Sequence, residues 1–155
     1  MADVKAKLAE LGWTLPQPSK PVACYVPVVQ TGNLLVVSGQ LPMVDGKVTA
    51  TGAVPSVVSV EDARQAAAQC AVNALAAIGM HLDGDFSKIK QIVRLGVFVK
   101  SDDDFGGQPQ IANGASELIG EVFGKAGRHA RAAVGVNALP LDACVEVELM
   151  VEIAG

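Results

Sequence analysis

Apolar residues recur with two different periods along this chain. Val145, Val147, Leu149, Val151 and Ile153 alternate with Cys144, Glu146, Glu148, Met150 and Glu152, the two-residue period of a strand with unlike faces. Val60, Ala63, Ala67, Cys70, Ala71, Ala74, Leu75 and Ile78 instead recur every three or four residues. That spacing predicts a long helix opening at Ser59, with Asp62 close to the capping-box pattern, and stopping at Gly79. Gln108 to Phe123 reads as a second helix carrying Ile111, Leu118, Ile119, Val122 and Phe123 and ending at Gly124. β-rich runs fill Val26 to Gln40, folded around Thr31-Gly32-Asn33 as a hairpin, and Ile92 to Val99. Val4, Leu8 and Leu11 define a short surface helix within residues 1–12, ended by Gly12. Pro16, Pro18 and Pro21 make residues 13–21 a stiff, extended lead-in.

The inferred order is strand, strand, helix, strand, helix, strand, strand, with short extended pieces near residues 47–54. Residues 1–155 read as one domain. Two long helices cover only one face of such a sheet. With half of the residues apolar, the other face predicts an apolar patch and self-association. The 23 alanines and 23 valines must fill a core that six aromatic residues cannot, so the layers are expected to pack closely.

Charge and cysteine spacing narrow the function classes. Twelve Lys and Arg against sixteen Asp and Glu give a net charge of −4, and the cations are scattered, which argues against nucleic acid as the main ligand. Cys24, Cys70 and Cys144 form no C-x-x-C pair, and a reducing cytoplasm is the simplest setting. No run approaches the length of a membrane span. Asp104-Phe105-Gly106 reads as a turn, Asp102-Asp103-Asp104 and Asp83-Gly84-Asp85 as solvated loops or helix caps, and Gly120 to Lys125 as a helix end. His81 and His129 have no partner at metal-ligand spacing and read as surface or packing histidines. Arg131 enters a small-residue strand, where its guanidinium either grips a carboxylate bidentately or forms a structural ion pair with Glu146 or Glu148. Glu146, Glu148 and Glu152 share one face of the last strand and repel unless something offsets them.

Tyr25 before the Gly-Asn hairpin, Ser38-Gly39-Gln40-Leu41-Pro42, Val97-Phe98-Val99-Lys100 leading to Asp104-Phe105, Ala130-Arg131, Leu139-Pro140 and Val145-Glu146-Val147-Glu148 occur in that order. In this combination the chain resembles the RidA/YjgF imine deaminases, also called the endoribonuclease L-PSP family, over about residues 21–153. The resemblance implies a chorismate-mutase-like α+β fold, two long helices on one face of the sheet, and a barrel-like homotrimer with clefts between subunits. It implies hydrolysis of enamine/imine intermediates such as 2-aminoacrylate and 2-iminopropanoate to 2-oxo acids and ammonia, without metal or cofactor. By matching positions, Arg131 would bind the substrate carboxylate and Glu146 would position or deprotonate the attacking water. Tyr25, Ser38 and Asn113 would line the cleft, and the backbone at Ala133 would contact the imine nitrogen. The chain departs from the usual pattern around Tyr25, carries alanine at 133 where cysteine is frequent, and is longer between Phe105 and Asn113. The alternative is a non-catalytic small-carboxylate-binding or protein-protecting trimer, with an endoribonuclease or translation inhibitor third.

Overall fold

Five strands form one mixed sheet in the order β1-β2-β7-β5-β6 in the computed structural model, which describes residues 3–18 and 24–155. The strands are β1 (Val28–Thr31), β2 (Leu34–Gln40), β5 (Ile89–Lys100), β6 (Ala130–Val136) and β7 (Val145–Ile153). A small hairpin of β3 (Met43–Val44) and β4 (Lys47–Val48) stands apart. Neighbours run antiparallel except β5 and β6, which are parallel. A parallel pair needs a crossover, and α3 (Gln108–Phe123) supplies it. The fold is therefore α+β, with the element order read from the sequence.

Both long helices lie on one face. Leu35 and Val37 of β2, Leu95 and Val97 of β5, and Val147, Leu149 and Val151 of β7 point into the core beneath α2 (Val60–His81) and α3. The Ser59 side chain caps α2 by accepting from the Asp62 N–H at 3.0 Å, as its spacing predicts. Along α2 eight alanines are buried, and their short side chains bring the helix near both the sheet and α3. Contact is tightest at Gly114, where an added Cβ would lie 2.0 Å from the Arg64 carbonyl oxygen of α2. Gly114→Ala gains about 1 kcal/mol of helix propensity but forces two backbones apart, an overpacking cost of roughly 1–3 kcal/mol. The variant is expected to unfold at lower denaturant concentration than wild type in equilibrium melts followed by circular dichroism.

Two boundaries differ from expectation. Gly79 does not stop α2, which continues to His81. Gly79 is a packing residue: a Cβ there would meet the Phe86 ring at 2.7 Å. The reversal falls instead on Asp83 and Gly84, both at positive φ. β5 is also longer than the expected Ile92 to Val99, because Ile89 to Gln91 extend its pairing with β7. The short N-terminal helix is α1 (Val4–Glu10), capped by the Asp3 carboxylate. Val4 and Leu8 are fully buried, and Gly12 ends the segment at φ +82. Residues 1–2 of the expected helix and 19–21 of the lead-in lie outside the described residues. Among the described residues no helix is long and apolar enough to cross a membrane.

The face opposite the helices is mixed rather than plainly apolar. Val36, Phe98, Met150 and Val134 share it with Lys90, Arg94 and three glutamates. Two of the three glutamates are paired there with these cations.

Candidate active site

The three glutamates of β7 have different surroundings. Arg94 Nη1 donates to Glu148 Oε1 at 2.8 Å, and Lys90 Nζ donates to Glu152 Oε1 at 2.8 Å. Both cations come from β5, so the repulsion expected along this face is offset at two positions. Glu146 has no cationic partner among the described residues. Burial, and then the charge of Glu148, raise its pKa above the usual carboxylate value.

Glycines on the flanking strands make room for two of these carboxylates. A Cβ on Gly96 would lie 2.6 Å from Glu148 Oε1, and one on Gly39 would lie 2.2 Å from Glu146 Oε1. Gly39 sits where the β2–β7 register shifts between Val37 and Gln40, a bulge that redirects local side chains. Beside it, Ser38 Oγ donates to the Val26 carbonyl at 2.7 Å and the Ser38 N–H donates to the Pro27 carbonyl at 2.9 Å. These two bonds hold the segment that carries Tyr25, whose residue surface is 59% exposed. Tyr25, Ser38 and Glu146 thus belong to one region centred on β2 and β7. Gly39→Ala keeps every charge but displaces the Glu146 carboxylate. In any reaction that uses this carboxylate, a roughly tenfold lower rate, equivalent to about 1.4 kcal/mol, is expected in steady-state assays.

Arg131 lies elsewhere. It pairs in register with Leu95, a core residue, so its side chain leaves the sheet on the helix side. There Nη1 donates to Asn113 Oδ1 at 2.8 Å and to Ser116 Oγ at 3.1 Å, both on α3. This answers the question left open by spacing: Arg131 forms no ion pair with Glu146 or Glu148. Both hydrogens on Nη1 are engaged, while Nε and Nη2 make no hydrogen bond among the described residues. That free edge has the two parallel donors that suit a carboxylate. Ala133 follows two residues later, half-buried on the same side of β6, whose outer edge pairs with no described strand.

The structure therefore brings Arg131, Asn113 and Ala133 together, and separately Tyr25, Ser38 and Glu146. It does not bring the two groups together within one chain, because Glu146 pairs in register with Phe98 on the open face while Arg131 is on the helix face. Sequence reasoning missed Ser116 and His129, which join the arginine group: Ser116 Oγ is 2.9 Å from His129 Nε2. Two spacings carried that signal. Asn113 and Ser116 are three apart on a helix, and His129 and Arg131 are two apart entering a strand. No group of three or more His, Cys, Asp or Glu side chains among the described residues is arranged to hold a metal ion.

Comparison with known proteins agrees with this architecture. The family described as "YjgF/chorismate mutase-like, putative endoribonuclease" matches residues 5–153. Protein TCP17 of Trypanosoma cruzi is 44% identical over 97% of this chain and 94% of its own. A 2-iminobutanoate/2-iminopropanoate deaminase of Dermatophagoides farinae is 30% identical over 89% of this chain and 92% of its own. Among solved structures, the protein Atu1372 of Agrobacterium tumefaciens, of unknown function, superposes with a TM-score of 0.91 at 49% identity, covering 97% of this chain and 92% of that one.

Proposed function

Because the chain belongs to the YjgF/RidA family, we propose that it hydrolyses imines of small 2-oxo acids, at clefts completed where one copy presents its Arg131 group to the Glu146 group of another. The observation that carries this reading is the isolation of Glu146: of three glutamates on one strand face, it alone lacks a cation among the described residues and has its pKa raised. A carboxylate that serves only to fold the sheet gains from a partner such as Arg94 or Lys90. A carboxylate that must take a proton from water gains from having none.

The chemistry needs little else. An imine carbon is already electrophilic, so orientation and one base suffice. The free edge of Arg131 grips the substrate carboxylate and fixes C2. Glu146 accepts a proton as water oxygen bonds to C2 and the C=N π electrons move to nitrogen. The proton then passes from Glu146 to that nitrogen. The hydroxyl proton of this carbinolamine then passes, by way of Glu146, to the amino nitrogen as the C–N bond breaks, so that ammonia leaves, the 2-oxo acid remains and Glu146 is again a carboxylate. Water and imine are consumed one for one. 2-Aminoacrylate enters the same route after tautomerising to 2-iminopropanoate.

This reading requires a second copy at each cleft, since one chain holds Arg131 and Glu146 on opposite faces of the sheet, and a closed homotrimer is the assembly that the family resemblance implies. Burial of Cys70 and Cys144, which raises the pKa of both thiols, Cys144 to about 11, suits a reducing cytoplasm. The decisive experiment generates 2-aminoacrylate in place and follows ammonia release, with the particle mass measured by light scattering at micromolar concentration. Ammonia release above the uncatalysed rate from a species of three times the chain mass is expected. A fully monomeric protein with undiminished activity would sink the intersubunit cleft, and a trimer that binds pyruvate without turnover would make the protein a carboxylate binder.

A further inference from the structure

Arg131 stands at the end of a chain of hydrogen bonds that begins in the connector between α3 and β6. His129 Nδ1 lies 2.6 Å from the Gly127 carbonyl oxygen, His129 Nε2 lies 2.9 Å from Ser116 Oγ, and Ser116 Oγ accepts from Arg131 Nη1 at 3.1 Å. A carbonyl oxygen can only accept, so Nδ1 carries the hydrogen. In the neutral ring Nε2 is then an acceptor. Ser116 must therefore point its hydroxyl hydrogen at His129, which turns an oxygen lone pair toward the guanidinium. Every member has one role, and each bond polarises the next in the same sense.

The far end of this chain is rigid. Gly127 is buried against the end of α3, where an added Cβ would lie 2.5 Å from the Ile119 carbonyl oxygen. The carbonyls on either side of it are held as well: Gln91 Nε2 of β5 donates to Ala126 O at 3.1 Å and also to Arg128 O. His129 thus transmits the position of a clamped backbone to a side chain on an otherwise exposed edge strand. Asn113 alone would fix one hydrogen of Nη1 and leave the guanidinium free to swing about that bond. The second bond, to Ser116, sets its plane.

We propose that His129 and Ser116 are positioning residues that fix the plane of the Arg131 guanidinium, so that its Nε/Nη2 edge is presented to the substrate carboxylate. This rests on the deaminase reading for the identity of the carboxylate, but the relay itself is a property of the free protein. Because Glu146 is untouched by it, loss of the relay weakens carboxylate binding and leaves the chemical step alone. A merely structural role predicts the opposite, namely lowered stability and an unchanged KM.

The test has two parts on the full chain. Nitrogen-15 NMR of His129 in the wild-type protein is expected to show the Nδ1-protonated tautomer, the less common one in water. Ser116→Ala and His129→Ala are each expected to raise KM and weaken pyruvate binding in calorimetry about three- to tenfold, less than the full worth of a charge-assisted hydrogen bond because Arg131 itself stays in place, with kcat changed less than about twofold. His129→Gln, which keeps an acceptor for the Ser116 hydroxyl, is expected to recover most of that loss. An Nε2-protonated tautomer overturns the relay even if every variant fails to fold. A wild type that releases ammonia and binds pyruvate, matched in KM and affinity by Ser116→Ala, overturns the relay and leaves the deaminase reading standing. A wild type that neither turns over nor binds pyruvate, with the Nδ1 tautomer present, overturns the deaminase reading and the carboxylate role of the relay together.

Discussion

Glu146→Gln is expected to lower turnover about 10²- to 10⁴-fold, the usual contribution of a positioned base, while pyruvate binds as in wild type. The amide fills the same slot against Gly39 and cannot take a proton from water. The pH dependence follows from the direction of the shift. Burial and the neighbouring Glu148 raise the native pKa of Glu146, so the acid limb of kcat/KM is expected to fall with a midpoint above the ordinary glutamate range. The same shift has a consequence for folding. A carboxyl with a raised native pKa contributes stability that is fully present below its unfolded pKa and is lost as pH rises through the native value. At neutral pH Glu146 is therefore a net cost to the fold, and the glutamine variant is expected to melt at a slightly higher temperature than wild type. The gain is small because the carboxylate is half-exposed and screened by water. An inactive and stabilised variant is the signature of a functional charge. If Glu146→Gln retains near-wild-type turnover, water activation belongs elsewhere, and Glu148 is the next candidate on that face.

Arg131→Lys separates binding from chemistry at the other end of the substrate. Lysine keeps the charge but not the planar fork, and one ammonium cannot serve Asn113, Ser116 and a bidentate carboxylate together. A lost charge-assisted hydrogen bond is worth about 1.5–3 kcal/mol, or roughly ten- to 150-fold in pyruvate affinity by calorimetry. The main effect is expected in KM, with a smaller fall in kcat from imprecise orientation of C2. Unchanged affinity in this variant would move the carboxylate grip away from β6.

The sequence was most legible where one element determines its own pattern. Alternation along β7 separates the core valines from the glutamates without knowledge of any neighbour, and Ser59 marks the start of α2 by local hydrogen bonding. Legibility failed where a residue's role is set by something distant in the chain. Gly79 looks like a helix stop, but its lack of a side chain serves the Phe86 ring. Arg94 and Lys90 could not be matched to Glu148 and Glu152 without the register of β5 on β7, which contains two irregularities. Arg131 and Glu146 could both be picked out as residues, yet their placement on opposite faces depends on topology alone. His129 looks isolated in the sequence because its partners, Gly127 and Ser116, are not metal ligands or nucleophile partners in any short motif.

The position of β7 also bears on how the molecule comes into being. It is the latest strand along the chain but lies in the middle of the sheet, between β2 and β5. While a ribosome is still translating the preceding residues, the hairpin of β1 and β2 and the parallel pair of β5 and β6 have no strand to join them. Their buried valines and leucines remain open to solvent or to a chaperone. Contacts this distant in sequence close slowly. Glu146 is on that strand, so the carboxylate proposed as the base is set in place only when the sheet is sealed.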